Sequence, residues 1–217
     1  MYPIRSRIAI RNTLPPVATD TAGRNRCRKR FSPSPRRVTI SPETPAVGLA
    51  RGTVELEPHR DVWSECYAAE IERLEAVVGD RVLAFEHVGS TAVEGLPAKP
   101  IIDILGIVPD LEEADDLVAA LESSGYEHRP DDIEGRHFLA KGPASNRTHY
   151  LSLATRESAV VENQLAFRDA LRADPALAQA YADRKRTLTA RYPDDRATYT
   201  AKKGAFVRAV LKDVAKE

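Results

Sequence analysis

Residues 86–103 read EHVGSTAVEGLPAKPIID, and the rest of the chain is organised around this stretch. Just before the glycine–serine pair at 89–90, the apolar run 83–88 predicts a short strand. After the pair, the run 101–105 is apolar except for one carboxylate, Asp103. This part of the chain therefore predicts a strand, a Gly-Ser turn and a second strand that carries an aspartate.

The turn and the aspartate together suggest a binding site. A turn through Gly89, Ser90 and Thr91 bares backbone N–H groups that can hold a phosphate. A carboxylate inside an apolar strand is costly unless it has a partner, a hydrogen-bond network or a metal. The pattern thus predicts a nucleotide and metal site. A structural reading is also open, with Gly89 in a tight turn, Ser90 as a helix N-cap and Asp103 as a satisfied polar residue at a strand edge.

The stretch 87–104, HVGSTAVEGLPAKPIIDI, resembles the signature of the GrpB family, in which a histidine, an apolar residue and Gly-Ser-Thr are followed by Lys-Pro-Ile-Ile-Asp. The resemblance extends from about Val54 to the C-terminus. It includes Trp63, the Gly125-Tyr126 pair, the block Phe167-Arg168-Asp169, Tyr181 with Lys185, and Tyr199 with Lys203 and Phe206.

This resemblance implies an α/β fold of the nucleotidyltransferase type, a mixed sheet flanked by helices with a helical C-terminal part. It implies that the turn 89–91 holds phosphate, that Asp103 holds a divalent metal and that Lys99 neutralises charge. The family also occurs fused to dephospho-coenzyme A kinase, which points to a coenzyme A-related ligand or a helper role.

The carboxylate set of that superfamily is incomplete in this chain. Nucleotidyl transfer generally uses two aspartates one residue apart and a third acid on a later strand, which together hold two metal ions. Leu105 stands where the second acid would be, and the predicted late strand 148–153 contains none. Ser152 occupies the position that we align with a second family histidine.

Two histidines could complete a metal site with Asp103. They are His87, just before the turn, and His149 on the late strand. One carboxylate with imidazoles suits Zn²⁺ or another transition ion, whereas Mg²⁺ and Mn²⁺ prefer oxygen ligands. We therefore predict that Asp103, His87 and His149 are metal ligands for Mg²⁺, Mn²⁺ or Zn²⁺. His87 could instead contact a phosphate, and structural hydrogen bonding by the two histidines is the other alternative.

Several basic residues stand at positions that match the family. Two of them follow a tyrosine by four residues, which places each Tyr–Lys pair on one helical face. Cations of this kind in a cleft between the sheet and the C-terminal helices favour an anionic ligand, and pairing with surface acids is the alternative. The predicted phosphate or nucleotide ligands are Gly89, Ser90, Thr91, Lys99, Arg147, Arg168, Lys185 and Lys203.

The net charge of zero combines two unlike regions. Of the 32 basic and 32 acidic residues, residues 1–52 hold 11 basic and two acidic, which leaves 21 basic and 30 acidic residues in 53–217. An acidic domain argues against a broad nucleic-acid-binding surface, because such surfaces need clustered positive charge.

Residues 1–52 are rich in Arg, Pro, Ser and Thr and show no helical or strand period, which predicts a disordered extension. A basic tail that contacts nucleic acid or an acidic partner is one reading, and a transit peptide is another. The interpretation we prefer is that the native protein starts near Val54. Residues 53–217 then form the GrpB-like domain.

The sequence favours a cytoplasmic protein. Cys27 and Cys66 form no disulfide framework and no metal-ligand spacing. No apolar run approaches the roughly 18 residues that span a bilayer, and the N-terminus lacks the apolar segment of a secretory signal.

Elsewhere, local patterns predict the elements that surround the site. Apolar steps of three and four residues predict an amphipathic helix from Asp61 to Gly79. The Asp174-Pro175 pair begins a predicted helix with an N-cap and an N1 proline. The remaining predictions are strands at 54–57, 82–88, 101–108, 126–128, 136–139 and 148–153, and helices at 111–121, 158–172 and 195–215.

Two functions are open at this stage. The one we prefer is a divergent nucleotidyl- or phosphoryl-transferase that acts on a nucleotide or phosphorylated cofactor. The alternative is a non-catalytic binding module that keeps the phosphate turn without the metal triad. Both predict a phosphorylated small-molecule partner and neither requires nucleic acid or a membrane.

Overall fold

The computed structural model describes residues 46–131 and 133–216. Within these residues, two helices and five strands are followed by three C-terminal helices. In order they are α1 (Val62–Val78), β1 (Ala84–Val88), β2 (Ile102–Val108), α2 (Asp115–Glu122), β3 (Tyr126–His128), β4 (His137–Lys141), β5 (His149–Thr155), α3 (Ala159–Ala173), α4 (Pro175–Arg191) and α5 (Arg196–Val214).

The strands form one mixed sheet in the order β1-β2-β5-β4-β3. The central pair, β2 and β5, is parallel, and the other three pairs are antiparallel. Register places Asp103 of β2 between Val88 of β1 and Tyr150 of β5. The predicted α/β class, a mixed sheet flanked by helices with a helical C-terminal part, is confirmed.

Alternation along the strands gives the sheet two unlike faces. The His149 face, named after that residue, carries Ile102, Ile104 and Leu151 and packs against α1 and α2. The opposite face, which we call the Asp103 face, also carries Tyr150 and Ser152. The apolar end of the Asp103 face is covered by α3, and its polar end faces α5 across a cleft.

Local capping explains why the last three helices begin where they do. Ser158 accepts a hydrogen bond from the Val161 N–H at the start of α3. Asp174 accepts from the first backbone N–H groups of α4, and Asp195 from Thr198 N–H of α5. Each cap satisfies donors that have no partner within the helix, so these boundaries follow the local sequence.

Two local predictions differ from the structure. The predicted helix 111–121 is shorter in the structure, since α2 begins only at Asp115 and the Asp110 carboxylate accepts from Glu112 N–H in a turn before it. The predicted strand 54–57 is reduced to one bridge between Glu57 and Ala98.

The segment 46–52 packs against the rest of the described chain. Ala46 accepts a hydrogen bond from the Trp63 indole N–H, and Leu49 forms a β-bridge with Arg147. Leu49 is buried. The domain boundary at residue 53 and the disorder of 1–52 stay predictions, and residues 1–45 lie outside the described part of the chain.

Candidate functional site

A cleft of about 510 Å³ lies between the Asp103 face and the C-terminal helices. Its floor is formed by the β2 and β5 side chains, its rim by the turn at residues 89–91, and its far wall by α4 and α5. We call it the Asp103 cleft. The polar and aromatic side chains that line it are Ser90, Thr91, Lys99, Asp103, Asp131, Arg136, Phe138, Tyr150, Ser152, Asn163, Gln164, Phe167, Tyr181, Lys185, Arg196, Tyr199, Thr200 and Lys203.

The Gly-Ser-Thr turn is shaped by close packing against Asp103. Gly89 has φ of +72°, and a Cβ atom added to it would overlap the Asp103 carboxylate. Only glycine meets both demands without strain. Beyond it, residues Ser90–Ala92 form a short 3-10 helix, so the turn is rigid where it meets the cleft.

The side chains of Lys185 and His87 hold this turn in place. Lys185, which is 2% exposed, donates hydrogen bonds from Nζ to Ser90 Oγ at 2.9 Å and to the Pro97 carbonyl. His87 Nε2 is hydrogen-bonded to Thr91 Oγ1 at 3.0 Å, and its ring stacks on Tyr67. Lys185 and His87 thus position the turn.

Asp103 is the least compensated acid of the cleft. Its carboxylate has no hydrogen bond and no ion pair with any residue that the structure describes. Desolvation raises the pKa of Asp103 above its usual value, and the charges of Lys99 and Lys203 oppose that rise. The carboxylate oxygens therefore face the cavity with their lone pairs unused, which suits a cation or a hydrogen-bond donor brought by a ligand.

Positive charge surrounds this single carboxylate. Burial lowers the pKa of Lys99 to about 8 and that of Lys185 to about 7, and nearby cations add to both shifts. The pKa of Lys203 is raised, mainly by the Tyr181 hydroxyl, against the effect of desolvation. Within the described residues, the ammonium groups of Lys99 and Lys203 have no hydrogen bond or ion pair. An anion would relieve the repulsion between them.

The structure does not bring two of the predicted cations into this cleft. Arg147 is buried, pairs with Glu127 and donates to the Gly142 carbonyl at 2.5 Å. Arg168 pairs with Glu86 at 2.7 Å and with Asp169 at 2.8 Å. Both guanidinium groups are used by the fold, so their predicted role as nucleotide ligands is not supported by their positions.

The predicted metal ligands are also not brought together. His87 and His149 lie on the His149 face, whereas Asp103 projects from the other side of the sheet. The described residues contain no group of three or more His, Cys, Asp or Glu side chains able to hold a metal ion. The reason is the strand register. His87 pairs with Ile104 and His149 with Ile102, and both of these β2 residues are adjacent to Asp103. Because side chains alternate along a strand, the two histidines lie on the face opposite Asp103.

His149 instead lies near a buried charged network beneath the sheet. Glu70, which is fully buried, accepts hydrogen bonds from Lys141 Nζ at 2.6 and 2.8 Å and from the Tyr126 hydroxyl at 2.8 Å. Burial lowers the pKa of His149 to about 4, so the ring is neutral at pH 7. The His149 Nδ1 is hydrogen-bonded to Thr148 Oγ1 at 3.0 Å, and its Nε2 is buried with no hydrogen-bond partner among the described residues. The role of His149 stays a prediction.

Sequence reasoning missed two cleft arginines. Arg136 pairs with Asp131 and donates to Ser152 Oγ at 3.0 Å, and Arg196 donates to the Tyr150 hydroxyl at 3.4 Å. Arg136 lies just before β4 and Arg196 at the start of α5. Neither belongs to a motif, and the one available signal was their position at the end of a predicted element.

Together these features define an α/β protein with a cationic cleft built on a Gly-Ser-Thr turn and one aspartate. The family model described as GrpB protein matches residues 53–213. The chain belongs to the GrpB family, as the signature predicted. A GrpB crystal structure from Enterococcus faecalis is 35% identical, covers 75% of this chain and 98% of that one, and superposes with a TM-score of 0.69.

Relatives of known sequence support the same membership. The UPF0157 protein YqkA of Bacillus subtilis is 35% identical over 156 residues, which is 71% of this chain and 45% of that protein. The UPF0157 protein PA4798 of Pseudomonas aeruginosa is 40% identical over 162 residues, 73% of this chain and 66% of that protein. The matched region thus spans about half to two thirds of these two relatives.

A shorter match extends to a protein with a named activity. A dephospho-CoA kinase of Mycobacterium tuberculosis is 37% identical over 92 residues, which is 40% of this chain and 23% of that enzyme. The solved Cid1 poly(U) polymerase superposes with a TM-score of only 0.40 at 11% identity.

Proposed function

We propose that the Asp103 cleft binds a nucleotide or another phosphorylated small molecule. The observation that carries this proposal is the charge of the cleft wall. It contains five basic side chains, namely Lys99, Arg136, Lys185, Arg196 and Lys203, and two acidic ones, of which Asp131 is already paired with Arg136. A partly enclosed cavity with this excess of positive charge concentrates anions.

The turn supports the position of the phosphate. Ser90 and Thr91 meet the cleft beside Gly89, whose missing side chain lets the backbone approach Asp103. Lys99 and Lys203 lie on the same cavity, with ammonium groups that no described residue neutralises. A phosphate at the turn would accept from the Ser90 hydroxyl and offset both lysines as point charges.

A divalent ion fits this site only together with a phosphorylated ligand. Mg²⁺ and Mn²⁺ are commonly held by one or two carboxylates plus substrate phosphates, and Asp103 supplies one carboxylate with unused lone pairs. Zn²⁺ fits less well, since His87 and His149 lie across the sheet. When bound, such an ion would neutralise charge on the phosphates.

Nucleotidyl or phosphoryl transfer in this cleft would rest on positioning and electrostatic stabilisation. Phosphoryl transfer needs little covalent chemistry from the protein. Lys203, Lys99 and Arg196 would stabilise the charge that develops on the phosphate oxygens, since all three line the same partly enclosed cavity. Asp103 would orient the ligand through the ion, and Lys185 would hold Ser90 in place.

A thermal-shift screen of the full chain tests this proposal. Nucleotides, coenzyme A and its precursors are added with and without Mg²⁺ or Mn²⁺, because a ligand that binds the native state raises the melting temperature. We expect a nucleotide-dependent rise that Lys203→Gln weakens and a metal-dependent part that Asp103→Asn abolishes. If no phosphorylated compound shifts the melting temperature, the proposal fails.

A second candidate is a non-catalytic module that binds a coenzyme A-related anion. Two observations favour it: Asp103 is the one acid lining the cleft that is not ion-paired, and a region of the chain is similar to part of a dephospho-CoA kinase. Turnover assays with the ligands found above separate the two functions. Product formation that stops with Asp103→Asn indicates an enzyme, and saturable binding without turnover indicates the module.

The remaining predictions concern location and partners. Among the described residues, no helix is long and apolar enough to cross a membrane. A cytoplasmic location, a small-molecule partner and independence from nucleic acid accord with the acidic domain, and they stay predictions.

A further inference from the structure

A second cavity of about 660 Å³ adjoins the Asp103 cleft. We call it the Arg51 cavity. Its basic lining residues are Arg51, Arg129, Arg147 and Arg196, and its one acid is Asp131. The two cavities share five lining residues, Asp131, Phe138, Tyr150, Arg196 and Thr200. The two cavities are therefore neighbours that are lined in part by the same side chains.

The free positive charge of this cavity lies at its rim. Arg147 at the floor is buried and committed to Glu127 and to backbone carbonyls. Arg129 is paired with the exposed carboxylate of Glu127 at 3.1 Å. Arg51 is exposed and has neither a side-chain hydrogen bond nor an ion pair within the described chain, and its charge adds to those of Arg147 and Arg129 in lowering the pKa of Glu127. Asp131 is already neutralised by Arg136, so the cavity keeps an excess of positive charge.

Backbone contacts fix Arg51 at this rim. Its N–H donates to the Ala144 carbonyl at 2.7 Å, and two residues earlier the Leu49 N–H donates to the Arg147 carbonyl at 3.0 Å. Arg147 returns a hydrogen bond to the Leu49 carbonyl at 2.8 Å. The segment that carries Arg51 precedes residues 53–213, where the family model matches.

An aromatic pair stands between the two cavities. The Phe138 and Tyr150 rings lie 5.3 Å apart at 48°, and the Arg136 guanidinium sits 4.7 Å from the Phe138 centroid. Tyr150 is also the strand neighbour of Asp103. The Asp103 cleft therefore offers lysines and a carboxylate, the Phe138–Tyr150 pair lies next to it, and the Arg51 cavity beyond offers arginines.

We infer that the Arg51 cavity binds a second phosphate of the ligand held in the Asp103 cleft, so that the ligand class is a nucleotide phosphorylated at two separate positions. This inference rests on the proposed function. The first phosphate lies at the 89–91 turn with Lys99 and Lys203, the body of the nucleotide lies along Tyr150, and the second phosphate is met by Arg51 and Arg129. The second phosphate can displace Glu127 from Arg129, since Glu127 keeps Arg147 as a partner.

Three adenine nucleotides test this arrangement by calorimetric titration of the full chain. Adenosine 5′-monophosphate has one phosphate, whereas ADP and adenosine 3′,5′-bisphosphate have two, placed together or apart. We expect the 3′,5′-bisphosphate to bind about tenfold more tightly than ADP, as a new charge-assisted contact implies. Equal affinity for the two would overturn the inference and leave the cleft proposal standing.

Variants separate the two cavities. Arg51→Gln is expected to weaken the 3′,5′-bisphosphate about tenfold and to leave adenosine 5′-monophosphate unchanged. Lys203→Gln is expected to weaken all three nucleotides. Arg184→Gln is the matched control, because Arg184 is exposed on α4 and lines none of the cavities. An unchanged affinity in Arg51→Gln contradicts the inference. If none of the nucleotides binds the wild-type chain, the proposed function fails and the inference with it.

Coenzyme A and dephospho-coenzyme A identify the source of the two phosphates, since they differ only by the 3′-phosphate. A preference for coenzyme A that Arg51→Gln removes supports the inference with a coenzyme A-type ligand. A preference seen only with the free nucleoside bisphosphate supports it with a nucleotide ligand. A preference for dephospho-coenzyme A over coenzyme A would contradict it.

Discussion

The two faces of the sheet use charge in opposite ways. On the His149 face, the buried charge of Glu70 is matched by Lys141 and Tyr126 within hydrogen-bond distance. On the Asp103 face, Asp103 and the facing Lys203 of α5 have no hydrogen bond or ion pair with any described residue. Their side chains nevertheless line one cavity. The paired charges of the His149 face hold α1 to the sheet. The unpaired charges at the Asp103 face are available to interact with a ligand.

Desolvation acts on both faces, and hydrogen bonding decides the outcome. Burial raises the pKa of Glu70, but the bonds from Lys141 and Tyr126 outweigh it and the pKa is lowered. Burial raises the pKa of Asp103 as well, and no hydrogen bond reverses that shift. An ionised Glu70 therefore stabilises the fold, whereas an ionised Asp103 costs stability until a ligand or ion compensates it.

The largest effect is expected from breaking the matched network. Lys141→Met leaves the buried Glu70 with only the exposed Arg73, 3.3 Å away, as a cation partner, so the free energy of unfolding should fall by about 3–5 kcal/mol. Urea denaturation measures the change. Lys202→Met, at an exposed position on α5, should stay within about 0.5 kcal/mol of wild type. Equal stability of Lys141→Met and wild type would mean that the network contributes nothing.

The next effect concerns Arg168, which joins α3 to β1 through Glu86 and the His87 carbonyl. Arg168→Gln removes hydrogen bonds to a charged partner and should lower the free energy of unfolding by about 1.5–3 kcal/mol. Nucleotide affinity, measured at a temperature where the variant is folded, should not change. A large loss of affinity with normal stability would instead restore Arg168 to the ligand site.

Lys203 is expected to behave in the reverse manner. Lys203→Gln should weaken nucleotide binding about tenfold, as the loss of one charge-assisted contact implies. The free energy of unfolding should change little, because Lys203 has no hydrogen bond to a described residue. Lys202→Gln is the adjacent control and should bind as wild type does. Titration of both variants decides whether the cleft is the ligand site.

A smaller effect is expected from pH. The pKa values of Lys99 and Lys185, lowered to about 8 and about 7, should rise when an anion binds, so binding takes up protons. Nucleotide affinity should therefore fall as the pH rises from 7 to 9. Titration across this range should give a shallower slope for Lys99→Met, and an identical slope would exclude Lys99 from the ligand.

The smallest effect is on stability through Asp103. Because its folded-state pKa is raised, the folded state binds more protons than the unfolded state as pH rises from about 4, and stability falls in that window. Asp103→Asn removes this cost. Melting temperature should be higher in Asp103→Asn than in wild type at pH 8, with the gap closing near pH 4. A variant that is less stable at pH 8 would show that Asp103 is matched after all.

Much of the fold was predictable because its signals are local. The Asp174-Pro175 pair contains both the cap and the first residue of α4. The apolar run around Asp103 and the alternation around His149 identified β2 and β5 within one or two residues. Caps and alternation depend on residues a few positions apart in the sequence, so they can be recognised without knowledge of the tertiary structure.

The candidate site was predictable only in part. The Gly89–Thr91 turn, Asp103, Lys99, Lys185 and Lys203 meet at one cavity, as the signature and the Tyr–Lys spacing suggested. Tertiary packing decided that Arg147 and Arg168 serve the fold, and that Arg136 and Arg196 line the cavity. It also decided that His149 and Asp103 lie on opposite faces. Strand register and helix docking bring together residues from distant parts of the chain, and no local pattern records which charges will meet.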